Sequence, residues 1–192
     1  MSAKAPVRYR RHTMKHKYVL FVTQAAMIAA LYAALTILQN VLLPGSASAA
    51  VQFRVSEVLT ILALYTPAAI PGLTVGCLVA NLSSIPLLGP IDLIFGSLAS
   101  LTAAVLMYAL RRVRLFRLPV PAALMPALCN GVFVGFEIDF FILHQQQFHF
   151  TDFLVQGGLV ALGELGVLFV LGLPLSRLIE LRGLDEKYLC LR

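Results

Sequence analysis

The sequence predicts an all-α integral membrane protein of six transmembrane helices with both termini cytoplasmic. Three observations predict it. The composition is too apolar for water, five long segments are almost free of charge with one of them interrupted by prolines, and the basic residues gather at segment ends. Of 192 residues, 59% are hydrophobic and 12% charged, against about 45–50% and about 25% in soluble domains. The net charge of +6 raises nucleic acid as a partner. The bases flank apolar spans rather than lining an amphipathic face, so the charge reads as lipid topology and no nucleic acid is expected.

The first apolar segment, 18–43, follows basic residues and precedes SASAA at 46–50, in imitation of a cleavable secretory signal. Its length is far beyond the roughly 7–15 residues of a signal core, so it reads as a first transmembrane helix. The remaining segments are 55–85, 91–110, 119–143 and 153–176, each long enough for one crossing at about 20 residues. The basic stretch 1–17 reads as a cytoplasmic N-terminal segment, 18–180 as the six-helix transmembrane substrate-binding domain, and 181–192 as a cytoplasmic tail.

Charge decides the number of crossings. Lys4, Arg8, Arg10, Arg11, Lys15 and Lys17 place the N-terminus in the cytoplasm. Five single crossings would leave Arg111, Arg112, Arg114 and Arg117 outside. If 55–85 crosses twice they return inside, together with Arg177, Arg182, Lys187 and Arg192, so that fourteen of the fifteen bases are cytoplasmic. The break that permits this is Tyr65-Thr66-Pro67-Ala68-Ala69-Ile70-Pro71-Gly72, where two prolines and a glycine disfavour an unbroken helix. Each half is then short, which is tolerated where protein or a water-filled cavity surrounds it.

The same map sorts the acids. Glu180, Asp185 and Glu186 fall in the tail, while Glu57, Asp92, Glu137, Asp139, Asp152 and Glu164 fall in the outer half, where Arg54 is the single base. Asn40, Asn81, Ser83, Ser84, His144, Gln145, Gln146, Gln147, His149 and Gln156 join them. Polar groups at membrane depth are costly and face a cavity or a partner. Asn130 and Glu137, seven apart, share a helix face, as do Glu164 and Gly157, and Gln156 and Gly163. Carboxylates, amides and the aromatics Phe53, Tyr65, Phe95, Phe133, Phe136 and Phe140 suit a flat, nitrogen-rich, neutral or cationic heterocycle. The candidate substrate-binding residues are Arg54, Glu57, Asn81, Asp92, Asn130, Glu137, Gln156 and Glu164. Arg54 and Glu57, three apart, read equally as a local ion pair or a helix cap, and Asp92 as an acid serving a helix N-terminus. Asp139, Asp152, His144, His149 and the glutamines read as a solvated external loop.

Enzyme chemistry finds little support. G-x-x-x-x-G-K-[ST], G-x-S-x-G and H-E-x-x-H are all absent. Glu137 and Asp139 point to different sides of a helix, so no acid–base pair forms and no catalytic residue is assigned. Cys77, Cys129 and Cys190 are scattered and odd in number, without metal-site spacing, so neither a metal nor a cofactor is expected. In the first helix Ala25, Ala29 and Ala33 repeat every four residues, as do Ala26, Ala30 and Ala34. Small residues at this spacing make a smooth surface for close helix approach, here broader than internal packing requires, and the six alanines are assigned to a partner interface.

The stretches QFRVSEVLTILALYTPAAIPGLTVGCLVANLSS and LGPIDLIFGSLASLTAA resemble the QueT family, substrate-binding S components of energy-coupling factor (ECF) transporters for queuosine precursors. The likeness covers most of 20–178 and is most specific across 52–104. It implies the six-helix S-component fold in a bacterial plasma membrane. It implies also that the alanine surface of the first helix docks on the scaffold subunit EcfT, and that two ATPase subunits energise transport. The implied ligand is queuine or its precursor preQ1 or preQ0. An S component for thiamine, riboflavin or folate is the alternative, and an intramembrane enzyme using Glu137 or Glu164 as base is a third.

Overall fold

The computed structural model describes residues 7–44, 46, 52–83, 85, 89–115, 118–143 and 147–184, with residues 7–16 described by their backbone alone. The expectations for Lys4, Ser84, Arg117, His144, Gln145, Gln146, Asp185, Glu186, Lys187, Cys190 and Arg192 lie outside the described residues.

Among the described residues, six helices account for the bundle. α1 (Val7–Leu42) has neither proline nor glycine and begins inside the basic segment rather than after it. α2 (Val55–Leu64) is a 3-10 helix and α3 (Ala69–Asn81) an α-helix. α4 (Ile91–Ala109) and the long helices α5 (Val120–Leu143) and α6 (Phe150–Leu181) complete the set. α5 ends in a π-helical stretch, Ile138–Leu143, and α6 contains one at Leu168–Gly172. α1 from Lys17 onwards, α4, α5 and α6 are long and apolar enough to cross a membrane. Large apolar side chains such as Met27, Leu31, Leu38, Ile94, Val132 and Leu162 lie exposed along them, the arrangement expected when lipid is the solvent.

The interrupted segment folds back as the prolines require. α2 ends at Tyr65 and Thr66, whose N–H groups both return to the Leu62 carbonyl, at 3.0 and 3.1 Å. The break is narrower than the sequence suggested. Pro71 lies in the first turn of α3, where a missing N–H costs nothing, so Pro67 alone stands in the turn. A 3-10 run of ten residues is long for its kind, and its rise of about 2.0 Å per residue matters here. It lets the shorter α2 reach about 20 Å, as far as the thirteen residues of α3 at about 1.5 Å each.

Contacts between elements sort the bundle into two ends. At one end the turn after α2 meets α1 through Thr66 Oγ1 and Gln24 Oε1 at 3.0 Å, and the Tyr65 hydroxyl donates to the Ser176 carbonyl at 3.1 Å. Arg114, beyond α4, reaches Glu180 of α6 at 2.6 Å. At the other end Gln39 of α1 holds the entry to α2, and Asn81 closing α3 donates to the Asp92 carbonyl opening α4 at 3.0 Å. The Arg111–Arg114 loop therefore lies at the same end as the fold-back turn, as the charge count demands.

Glycines let the helices approach. A Cβ on Gly72 or Gly76 of α3 would stand 2.8–2.9 Å from the Ala25 and Ala29 carbonyls of α1, and Gly131, Gly135 and Gly157 interlock α5 with α6 in the same way. Ile28, Tyr32, Ile61, Leu73, Met107 and Leu173 fill the core between them.

Gly76→Ala is expected to destabilise the bundle by about 1–3 kcal/mol through overpacking. Gly158→Ala, whose new Cβ meets nothing within 4 Å, leaves stability unchanged or slightly raised. Thermal unfolding of both variants in detergent checks the contrast.

Candidate functional site

The site begins with the register of α2. A 3-10 helix has about three residues per turn, so Arg54, capping its start, and Glu57 and Thr60 inside it fall on one face, and all three are buried. Arg54 has extended backbone, φ −100° and ψ 99°, which turns the chain inward. Its NH2 stands 3.8 Å from Asp92 Oδ1, and its charge also reaches Glu57, Glu137 and Glu164. One guanidinium thus shares the buried interior with carboxyl groups from α2, α4, α5 and α6.

Polar residues of α1 hold this face in place. The Tyr32 hydroxyl donates to Glu57 Oε1, and Thr36 Oγ1 bonds Ser56 Oγ at 2.7 Å. Gln39 Oε1 accepts from the Val55 N–H at 2.8 Å while its Nε2 donates to the Phe53 carbonyl. Tyr32, Thr36 and Gln39 recur at four and then three residues, so they form one stripe down an apolar helix. Sequence reasoning passed over these three. The stripe of hydrogen-bonding side chains facing the acidic face of α2 was the signal that could have found them.

Asn130, Glu137 and Glu164 complete the set at 1%, 1% and 0% exposure. Among the described residues, Glu57 Oε2 and both oxygens of Glu137 have no hydrogen-bond partner, nor has Gln52 Oε1, while the Asn130 amide lies against the Glu164 carboxyl. Buried polar groups are nearly always satisfied, and a cluster of exceptions points to a binding role. Beside them Phe95, Val132, Phe133, Phe136, Phe148 and Phe153 line an apolar groove of about 360 Å³. Phe136 stacks on Phe140 at 5.2 Å and 12°. Among the described residues no group of three or more His, Cys, Asp or Glu could hold a metal ion.

Of the residues expected from sequence, Arg54, Glu57, Asp92, Asn130, Glu137 and Glu164 converge. Arg54 meets Asp92 of α4 and Glu57 accepts from Tyr32 of α1, so neither is confined to a local pair or a cap. Asp92 does lie in the first turn of α4. Asn81 is buried with its amide joining α3 to α4, and Gln156 is half-buried on α6, outside the buried set. Asp139 corrects the loop expectation. It is buried, because its Oδ2 accepts the His149 N–H at 2.9 Å and ties the end of α5 to the start of α6. Gln147 and His149 are exposed, and Asp152 is half-buried. Tyr65 sits at the opposite end beside Ser176 and Glu180, and Phe53 is half exposed, so neither ring joins the aromatic groove. The two alanine rows part company. Ala25 and Ala29 back onto α3 and Ala33 is buried, whereas Ala26, Ala30 and Ala34 face outward.

A helical bundle with exposed apolar helices and a buried, incompletely satisfied polar chamber is a multi-pass membrane protein. The chain belongs to the QueT transporter family, whose family model matches residues 22–181 and so spans every residue of the chamber. No curated protein and no solved structure matches the chain. It is a membrane transporter protein acting on a small-molecule substrate.

Arg54→Met removes the one guanidinium from the buried acids and is expected to cost about 3–5 kcal/mol, of which the double variant Arg54→Met/Asp92→Leu recovers part. Tyr32→Phe strands a second Glu57 oxygen and costs about 1–3 kcal/mol. Unfolding midpoints of the purified variants, compared as a double-mutant cycle for the first pair, measure both effects.

Proposed function

We propose that this protein is the substrate-binding S component of an ECF transporter that imports a queuosine precursor of the 7-deazaguanine type: preQ1, preQ0 or queuine. The observation carrying this reading is the convergence of Arg54 with Glu57, Asp92, Asn130, Glu137 and Glu164, several of whose polar atoms lack partners. A deazaguanine is flat, offers paired N–H donors to a carboxylate and stacks against aromatic rings. Membership of the QueT transporter family supports the same class of ligand. Asn81 supports the chamber by fixing α3 to α4, and Gln156 flanks it.

Both termini lie in the cytoplasm of a bacterium, with the chamber toward the outer face of the plasma membrane. The placement of the Arg111–Arg114 loop beside the fold-back turn and the end of α6 supports this orientation. Residues 1–17 then form the basic cytoplasmic segment, 18–180 the substrate-binding domain and 181–192 the tail. The scaffold subunit EcfT docks on α1, where Ala26, Ala30 and Ala34 leave a smooth outward row, with Ala25, Ala29 and Ala33 supporting the helix from within. Two partner ATPase subunits supply the energy, and this chain moves its ligand without changing it chemically.

The purified protein in detergent is expected to bind at least one of preQ1, preQ0 and queuine in calorimetric titration, with a matching rise in its unfolding midpoint. Binding of thiamine, riboflavin or folate in place of all three, or of nothing, would contradict the reading.

A further inference from the structure

The end of the bundle opposite the chamber carries a charged surface that ligand binding does not use. Arg111, Arg112 and Arg114 follow α4, and Arg177 and Arg182 stand at the close of α6. Among the described residues at that end, Glu180 is the one acid. Its Oε1 accepts from Arg114 at 2.6 Å and from the Tyr65 hydroxyl at 3.3 Å, and its Oε2 stands 3.9 Å from Arg177. Glu180 is thus taken up in holding the loop against α6. Among the described residues no acid pairs with Arg111, Arg112 or Arg182.

The loop that presents these arginines has a defined shape. Leu115 and Leu118 exchange backbone hydrogen bonds, both at 2.9 Å, and the Val113 N–H returns to the Leu110 carbonyl at 2.9 Å. Arg111 donates to the Tyr108 carbonyl at 2.6 Å, and its guanidinium lies 3.8 Å from the centroid of the Tyr108 ring. A guanidinium carries five N–H donors in a fork that fits phosphate, so one partner leaves donors for a second.

Between the arginines stand Val113, Leu115, Leu178 and Leu181, all exposed. Guanidinium groups interleaved with bare aliphatic side chains suit the boundary where headgroup phosphates lie above acyl chains. The surface also begins where the apolar spans Ile91–Ala109 and Phe150–Leu181 end, which puts it at headgroup level. A nucleic acid or an acidic protein would match the charge but leave the aliphatic side chains uncovered.

We propose that the loop after α4 and the last turn of α6 form a binding surface for an anionic phospholipid. The arginines take the headgroup phosphate, and the aliphatic side chains between them take the upper part of the acyl chains. Arg112 and Arg182 are the principal contacts, because both are exposed and Glu180 engages neither. The proposal does not rest on which ligand the chamber holds.

Native mass spectrometry of the purified protein in a neutral detergent, titrated with phosphatidylglycerol or phosphatidylcholine, counts the lipids retained. Unfolding midpoints follow the protection each lipid gives. An arginine near an anionic surface contributes about fivefold, so Arg112 and Arg182 together are expected to favour phosphatidylglycerol roughly 25-fold, a contrast that shrinks as salt rises. R112Q/R182Q is expected to remove most of that contrast while leaving phosphatidylcholine binding and the lipid-free midpoint unchanged. K15Q/K17Q, which removes equal charge from the start of α1, is expected to keep it. Equal binding of the two lipids by the wild type, or equal effects of the two double variants, overturns the proposal. Protection by inorganic phosphate that matches phosphatidylglycerol also overturns it, since the aliphatic side chains would then have no part. An unchanged lipid contrast in R112Q/R182Q overturns it too, and if that variant no longer associates with a partner protein, the surface belongs to that protein instead.

Discussion

Arg54 is one positive charge enclosed with four carboxyl groups in a bundle whose outer surface is hydrocarbon, and the rest of the structure answers to that constraint. Burying charges without full compensation costs several kcal/mol per ion, so each neighbouring element contributes a remedy. α4 brings Asp92 to the guanidinium. α1 supplies Tyr32 to Glu57, with Thr36 and Gln39 pinning the backbone on either side. The 3-10 register of α2 keeps Arg54, Glu57 and Thr60 on the inward face. What these remedies leave unsatisfied, on Glu137 and the second oxygen of Glu57, is the part that folding alone does not explain. Apolar residues there would serve stability better, and the proposed ligand recognition accounts for the polar ones.

The two ends of the bundle divide the work. The chamber end is assembled from helix termini: the start of α2, the close of α3, the first turn of α4 and the last turns of α5. Residues far apart in the chain therefore meet through short side chains, and the glycine contacts of α5 with α6 bring Asn130 and Glu164 together without a wide gap between the helices. The opposite end is closed by Tyr65, Ser176, Glu180 and Arg114, which join the fold-back turn, the loop after α4 and the last turn of α6. A short α2 and α3 are admissible because both lie among longer helices.

Much of this was legible in the sequence because membrane insertion leaves blunt signals. The four basic residues 111–117 call for two crossings of 55–85, and the prolines with Gly72 place the turn between them, which contacts between Thr66 and Gln24 and between Tyr65 and Ser176 bear out. Seven-residue spacing put Asn130 and Glu137 on one face, and both are buried. What escaped depended on geometry that residue type does not encode. The 3-10 form of α2 has no periodicity signal in its apolar run. Asp139 looked like loop because its partner is a backbone N–H, that of His149, which no sequence pattern marks. Tyr65 and Phe53 were grouped with the other aromatics by composition, whereas their positions at the ends of α2 carry them away from the groove. The two alanine rows of α1 have the same spacing, and only the position of α3 separates the inward row from the outward one.

The central claim is that the buried charge set around Arg54 is where the transported molecule sits. A structure of the purified protein with preQ1 bound measures this most directly. The account predicts the ligand between α2, α4, α5 and α6, within hydrogen-bond distance of Glu164 and Glu137 and beside the ring of Phe95 or Phe136. Ligand held elsewhere, with the carboxyl groups of Glu57, Glu137 and Glu164 packed only against protein, would contradict it.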